Sequence, residues 1–153
     1  MSSELSKVEF LSWLQQKIPL LQHMGIQCLD FDRQTLQLRA ALAENINDKG
    51  TGFGGSISAL ATLSGWSLVT LALRQQLGDY DVVIRESQMH YLAPATADLC
   101  CVVEMPQAQQ WQGFCDRLQQ KGRARIALQV NVYSAQVLVF KMDGSYTALN
   151  KIA

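Results

Sequence analysis

Between Lys49 and Arg74 the chain carries no charged residue, and no other feature restricts its fold as much. A helix without a charged face is buried on all sides, so the remaining elements must be able to enclose it. Just before it stands Asn45-Ile46-Asn47-Asp48-Lys49-Gly50-Thr51-Gly52-Phe53-Gly54-Gly55, a polar turn rich in glycine. Glycine permits φ > 0 and lets another group approach the backbone. The first amides of a helix lack internal partners, and the helix dipole adds positive potential there. The junction therefore offers donors to an anion or a developing oxyanion. Its glycines fit neither a Gly-Lys-Ser/Thr phosphate loop nor G-x-G-x-x-G. Two plainer readings stay open: a turn before a core helix, and a membrane span, for which the run is long enough. Ser, Thr and Gly interrupt the run and strand-like patterns surround it, which favours the core helix.

A chain of 153 residues is expected to form one domain, 1–153, and can bury a core without metal or disulfide support. Formal net charge is zero, so nothing points to nucleic acid or an anionic membrane surface. The segment Met1-Ser2-Ser3-Glu4-Leu5-Ser6-Lys7 lacks the apolar core of a signal peptide, so a cytoplasmic protein is expected. Cys28, Cys100, Cys101 and Cys115 form no C-x-x-C, and His23 and His90 stand at no metal-ligand spacing. Buried reduced thiols and no metal are expected.

Along the chain, Ser6 to Lys17 reads as an amphipathic helix, with Ser6 and Glu9 as a capping box and Pro19 as its end. Ile26, Cys28 and Asp30, then Leu36, Leu38 and Ala40, alternate as two strands turned at Asp32-Arg33-Gln34. The long helix follows, broken at Gly78-Asp79. Asp81 to Leu92 and Ala97 to Met105 read as strands, Pro106 to Gln120 as a helix, and Gly122 to Tyr133 as a cleanly alternating strand. Ala135 to Met142 makes the final strand, with Asp143-Gly144 as a turn signal. The pattern implies an α+β fold in which a curved antiparallel sheet wraps one dominant helix.

Asn47-x-x-Gly50-x-x-x-Gly54-Gly55 before a long apolar helix resembles the signature of the hotdog-fold acyl-thioester enzymes. His90-Tyr91-Leu92-Ala93-Pro94 resembles the aromatic-x-x-Pro strand end of that fold, and Gly122-Arg123-Ala124-Arg125 its Gly-Arg strand opening. The Asn45-x-Asn47 pair, the helical insert with Trp111 and the Ser/Thr-rich helix resemble one subfamily, the "putative thioesterase" family. That domain also occurs C-terminal to bacterial acetyltransferase-like proteins. The resemblance implies a hotdog fold with an extra N-terminal helix and a helical insert. It also implies substrates carried as thioesters of coenzyme A or of acyl carrier protein, no further cofactor, and a homodimer or homotetramer with sites between subunits. Some members are implied to decarboxylate malonyl-acyl carrier protein at the start of fatty acid synthesis.

The chain departs from many hotdog thioesterases at two positions. Thr62 stands where they carry Asp or Glu on the helix, and Asn47 where related families carry Asp. Hydrolysis usually needs a carboxylate as base or nucleophile, which Asn and Thr cannot replace. Decarboxylation of a malonyl thioester instead needs donors on the oxygen that becomes an enolate. It is hindered by a nearby carboxylate. The neutral positions therefore suit decarboxylation. The catalytic candidates are Asn45 and Asn47, expected side by side on an extended segment, with Gly54 and Gly55 as oxyanion donors and Thr62 on the helix. Phe53, Ser58 and His90 are substrate-binding candidates, and Arg123 and Arg125 are phosphate-contact candidates. Hydrolysis through Asp48, Glu86 or a partner's carboxylate, and a non-catalytic acyl-binding module, remain alternatives.

Overall fold

In the computed structural model, residues 3–151 are described, with side chains from Val8 onward. The elements run α1 (Ser3–Lys17), a 3-10 helix (Pro19–His23), β1 (Ile26–Phe31), β2 (Thr35–Ala40) and a 3-10 turn (Ala43–Asn45). Then come α2 (Gly54–Gln76), β3 (Asp81–Tyr91), β4 (Leu99–Glu104), α3 (Ala108–Lys121), β5 (Arg123–Ser134) and β6 (Val137–Leu149). The strands form one six-stranded sheet in the order β1-β2-β4-β5-β6-β3. Every pairing is antiparallel. This is the expected α+β architecture.

α2 lies against the sheet, and Leu60, Ala61, Leu68, Val69 and Ala72 have no exposed surface. Its apolar length, sufficient to cross a bilayer, is mostly buried inside the fold. Gly65 lets the sheet come close: a methyl there would overlap the Tyr146 hydroxyl, which donates to Thr62 O at 2.7 Å. α1 covers the other side. Trp66 stacks on Phe10 and Trp13, and the Arg74 guanidinium lies 4.7 Å from the Trp13 ring centre, a cation–π distance.

Three expectations change. The final strand does not end at Met142; β6 continues through Asp143-Gly144 to Leu149. Gly144 is buried between Met142 and Tyr146, where an added Cβ would lie 3.0 Å from the Met142 methyl, so it serves close packing rather than a turn. The reversal before β6 is made instead by Ala135 and Gln136, both at positive φ. In β1 the buried residues are Leu29 and Phe31, not the Ile26-Cys28-Asp30 set, and the register shifts between Ile26 and Cys28. The helix begins at Ser3, ahead of the expected cap; the Ser6 side chain of that capping box lies outside the described residues.

Candidate functional site

The turn before α2 is a small hairpin built from its own polar groups. Phe53 N donates to Asn45 O at 2.7 Å, Ile46 bridges Gly52, and Asn47 N donates to Thr51 O at 2.7 Å. Gly50 takes φ +80, a left-handed conformation that suits glycine. Asn47 Oδ1 accepts from the amides of Lys49 and Thr51, and its Nδ2 donates to Thr51 Oγ1 at 2.9 Å. This is an Asx turn, the usual work of Asn in such a loop.

Asn45 is not on an extended segment: it closes the 3-10 turn Ala43–Asn45. It is 2% exposed, and its Nδ2 donates to Met24 O at 2.8 Å and Ala41 O at 2.7 Å. Its Oδ1 is buried without a hydrogen-bond partner. Both side-chain amide donors are thus engaged by the protein itself. Donation to a substrate oxygen falls to backbone amides.

Those amides stand at the start of α2. Phe53 is the N-cap and no side chain caps the helix, so Gly54, Gly55 and Ser56 present amides without an intrahelical acceptor. Phe53 is 54% exposed, and its ring lies where a Cβ on Gly55 would be, 2.6 Å from Cε2. Tyr91 closes the other side, its hydroxyl donating to Gly54 O at 3.4 Å and its ring edge-on to Phe140. Ala95 packs behind Gly52, whose amide donates to Ala95 O at 2.9 Å. Residues 91–95 therefore hold the turn in place.

Tyr91, not His90, meets the helix, and strand alternation explains why. Tyr91 shares a face with the inward Phe140, whereas His90 pairs with Lys141 and projects from the outer face. Alternation counted from buried Phe140 would have revealed this, but pairing across strands is invisible in one sequence.

One and two turns along α2 lie Ser58 and Thr62. Ser58 Oγ donates to Gly55 O at 3.0 Å, and Thr62 Oγ1 to Ser58 O at 2.8 Å. Both line an apolar groove of about 360 Å³ walled by Leu21, Met24, Leu63, Trp66, Ile84 and Tyr146. Leu21 and Met24 of this wall come from the segment that joins α1 to β1.

Asp48 pairs with Lys49 at 3.1 Å, and both side chains are largely exposed, which is a solvated turn arrangement. Glu86 is exposed opposite Ser145. Arg123 and Arg125 are exposed on the outer face of β5. Tyr91 shares its row with Phe140 and Val132, so Arg123 lies roughly 30 Å along the strand from it, at about 3.4 Å per residue. One subunit does not bring the arginines to the helix start. Among the described residues no cluster of His, Cys, Asp or Glu can hold a metal. Burial pushes the Cys101 thiol up to about 12, and desolvation also raises Cys28 and Cys115, so none of these three is an activated nucleophile.

The family model described as Putative thioesterase (yiiD_Cterm) matches residues 8–150. Among solved structures, the chain is similar to a putative thioesterase from Shewanella oneidensis, at 31% identity and a TM-score of 0.83 over 94% of this chain and 96% of that one. It is similar to a protein of unknown function from Chlorobaculum tepidum, at 28% identity and a TM-score of 0.89 over 97% and 96%. A probable thioesterase from Pseudomonas aeruginosa, at 20% identity and a TM-score of 0.74 over 99% and 97%, shares the fold. With its uncapped helix start, its central helix wrapped by a six-stranded sheet and these matches along nearly its whole length, the chain belongs to the hotdog-fold putative thioesterase (yiiD_Cterm) family.

Proposed function

We propose that the protein processes acyl thioesters at the amino end of α2, and that its reaction is decarboxylation of a malonyl thioester to the acetyl thioester. One observation carries this reading. The amides of Gly54 and Gly55 are uncapped, the following turns of α2 bring Ser58 and Thr62 to an apolar groove, and the Thr62 hydroxyl is spent on its own helix. The amides hold the thioester oxygen as CO2 leaves and the enolate forms, before water protonates the carbon, and each aimed donor lowers the barrier by about 3 kcal/mol. Among the described residues that line the groove there is no carboxylate to oppose the malonyl charge. Asn45 and Asn47 keep the turn in the shape that aims the amides, and Phe53 and Tyr91 flank the thioester.

Hydrolysis is the second reading, favoured by the family description and by the thioesterase named in the Shewanella relative. It requires a carboxylate from a second subunit. β3 is an eleven-residue edge strand with Val83 and Ile84 exposed, an edge suited to pairing with its copy in a homodimer. Arg123 and Arg125 then serve coenzyme A or carrier phosphates from a neighbouring subunit, in the cytoplasm.

The deciding experiment follows free thiol and acetyl product together, with malonyl-carrier protein, malonyl-coenzyme A and saturated acyl-coenzyme A esters as substrates. Acetyl thioester without thiol release supports decarboxylation; thiol release alone assigns hydrolysis. Full decarboxylase activity in both Asn45→Ala and Asn47→Ala would remove the turn from the mechanism.

A further inference from the structure

Loss of CO2 leaves an enolate carbon that has to take a proton, and the hydroxyls beside α2 differ in how tightly they hold theirs. Ser58 Oγ donates to Gly55 O at 3.0 Å, Thr62 Oγ1 to Ser58 O at 2.8 Å and Tyr146 Oη to Thr62 O at 2.7 Å. Each of these protons is engaged in an ordinary hydrogen bond. The Tyr91 hydroxyl reaches Gly54 O at 3.4 Å, beyond the usual O–H···O range, and lies 4.0 Å from the Met89 sulfur, a weak acceptor. Tyr91 is also 58% exposed, so water can restore a proton that it gives up.

The ring itself is held. It meets the fully buried Phe140 edge-on, with ring centres 5.0 Å apart, and Leu92 N donates to Val139 O at 2.8 Å just beyond it. Its Cε1 lies 3.1 Å from where a Cβ on Gly54 would stand, so glycine there gives the ring its room. Gly54 O and Gly55 N belong to one peptide unit, which puts the hydroxyl within about 6 Å of the Gly55 amide. A thioester oxygen stands about 2.9 Å from such an amide, and the carbon that loses CO2 about 2.4 Å further on. That span brings the carbon within reach of Tyr91 Oη.

We propose that the proton supplied by water reaches the carbon through the Tyr91 hydroxyl, which makes Tyr91 a catalytic residue of the decarboxylation proposed above, the reading on which this step rests. The bond to the malonyl carboxylate breaks and its electron pair enters the thioester as an enolate, held by the α2 amides, while CO2 leaves. The pair then returns to form the new C–H bond with the Tyr91 proton. The phenolate, facing the positive end of the helix dipole, takes a proton from water, and the hydroxide left over combines with CO2 as bicarbonate. A phenol is a far stronger acid than the methyl carbon of an acetyl thioester, so the transfer runs downhill.

The test gives the full chain malonyl-coenzyme A in the presence of 13C-labelled CO2 and follows acetyl-coenzyme A, free thiol and label in the unreacted substrate. An enolate that waits for its proton recaptures CO2, so return of label per acetyl product reports the proton step. Tyr91→Phe keeps the ring and its contact with Phe140. It should lower kcat by about a hundredfold, change KM little and raise label return per turnover. Placing 3-fluorotyrosine at position 91, which keeps the hydroxyl, should restore both kcat and the low label return. If the wild-type chain makes acetyl-coenzyme A and Tyr91→Phe matches it in kcat and label return, the role of Tyr91 is overturned and decarboxylation stands. A lower kcat with unchanged label return also overturns it, since a misplaced substrate or a less stable fold slows turnover without lengthening the life of the enolate. Thiol release without acetyl product in the wild-type chain overturns the decarboxylation reading and this step with it.

Discussion

The amino end of α2 and its middle both contain glycine, yet the two glycines meet opposite surroundings. At Gly65 the space beside the helix is filled by the Tyr146 ring, itself fully buried. At Gly55 the nearest group is the ring of Phe53, which is half exposed. The first is a packing glycine, whose neighbour cannot yield without moving β6. The second lies beside an exposed ring at a helix end that no side chain caps. The same substitution should therefore be read out as stability at one position and as activity at the other.

Gly65→Ala is the largest expected effect: a loss of roughly 3 kcal/mol of stability from overpacking, seen as a lower urea midpoint. Adding Tyr146→Phe removes the atom that the new methyl meets, so the double variant should recover part of that loss. A Gly65→Ala protein of unchanged stability would break the comparison. Next, Asn45→Ala strips the donor from Met24 O and Ala41 O and should cost about 2 kcal/mol. Faster amide hydrogen exchange around residues 24 to 26 and 41 to 46 would locate that loss. Gly55→Ala should leave stability within about 0.5 kcal/mol or raise it, since alanine favours helix. Its kcat should fall roughly tenfold as the displaced Phe53 ring crowds the seat. Lost stability with retained activity would reverse the assignment.

The smallest effect is on pH dependence. The Cys101 thiol, buried against α2, has its pKa raised by desolvation from 9.0 to about 12. The unfolded chain therefore releases this proton first as pH rises. The stabilisation is complete below pH 9 and is lost progressively between about pH 9 and 12. Burial shifts the Tyr146 hydroxyl in the same direction. Unfolding midpoints at pH 8 and pH 10.5 should differ accordingly, and Cys101→Ala should reduce the difference.

Much of this was readable in order along the chain. The uncharged run over α2 required an enclosing sheet, and alternation located β2 and β5. The two failures in the strands have one cause. Asp143-Gly144 is chemically a turn, but in β6 the glycine is needed where Met142 and Tyr146 crowd the core. In β1 the phase depended on an irregular register that only its pairing with β2 reveals. Candidate site residues sorted by whether their place depends on near or distant neighbours. The glycine pair and its helix start were local, and so legible. His90 and the two arginines depended on strand pairing, which put them on the outer face.

The sequence by itself determined a helix that must be buried, a glycine turn that must lead into it, and strands able to wrap it. Hydrophobic period and backbone freedom are properties of a few adjacent residues. Only the tertiary structure decided that Asn45 spends its amide on Met24 and Ala41, that Tyr91 rather than His90 meets α2, and that Leu21 and Met24 wall a groove beside Thr62. Those outcomes depend on groups far apart in the chain competing for the same space and the same hydrogen bonds. That competition is resolved only when the sheet closes around the helix.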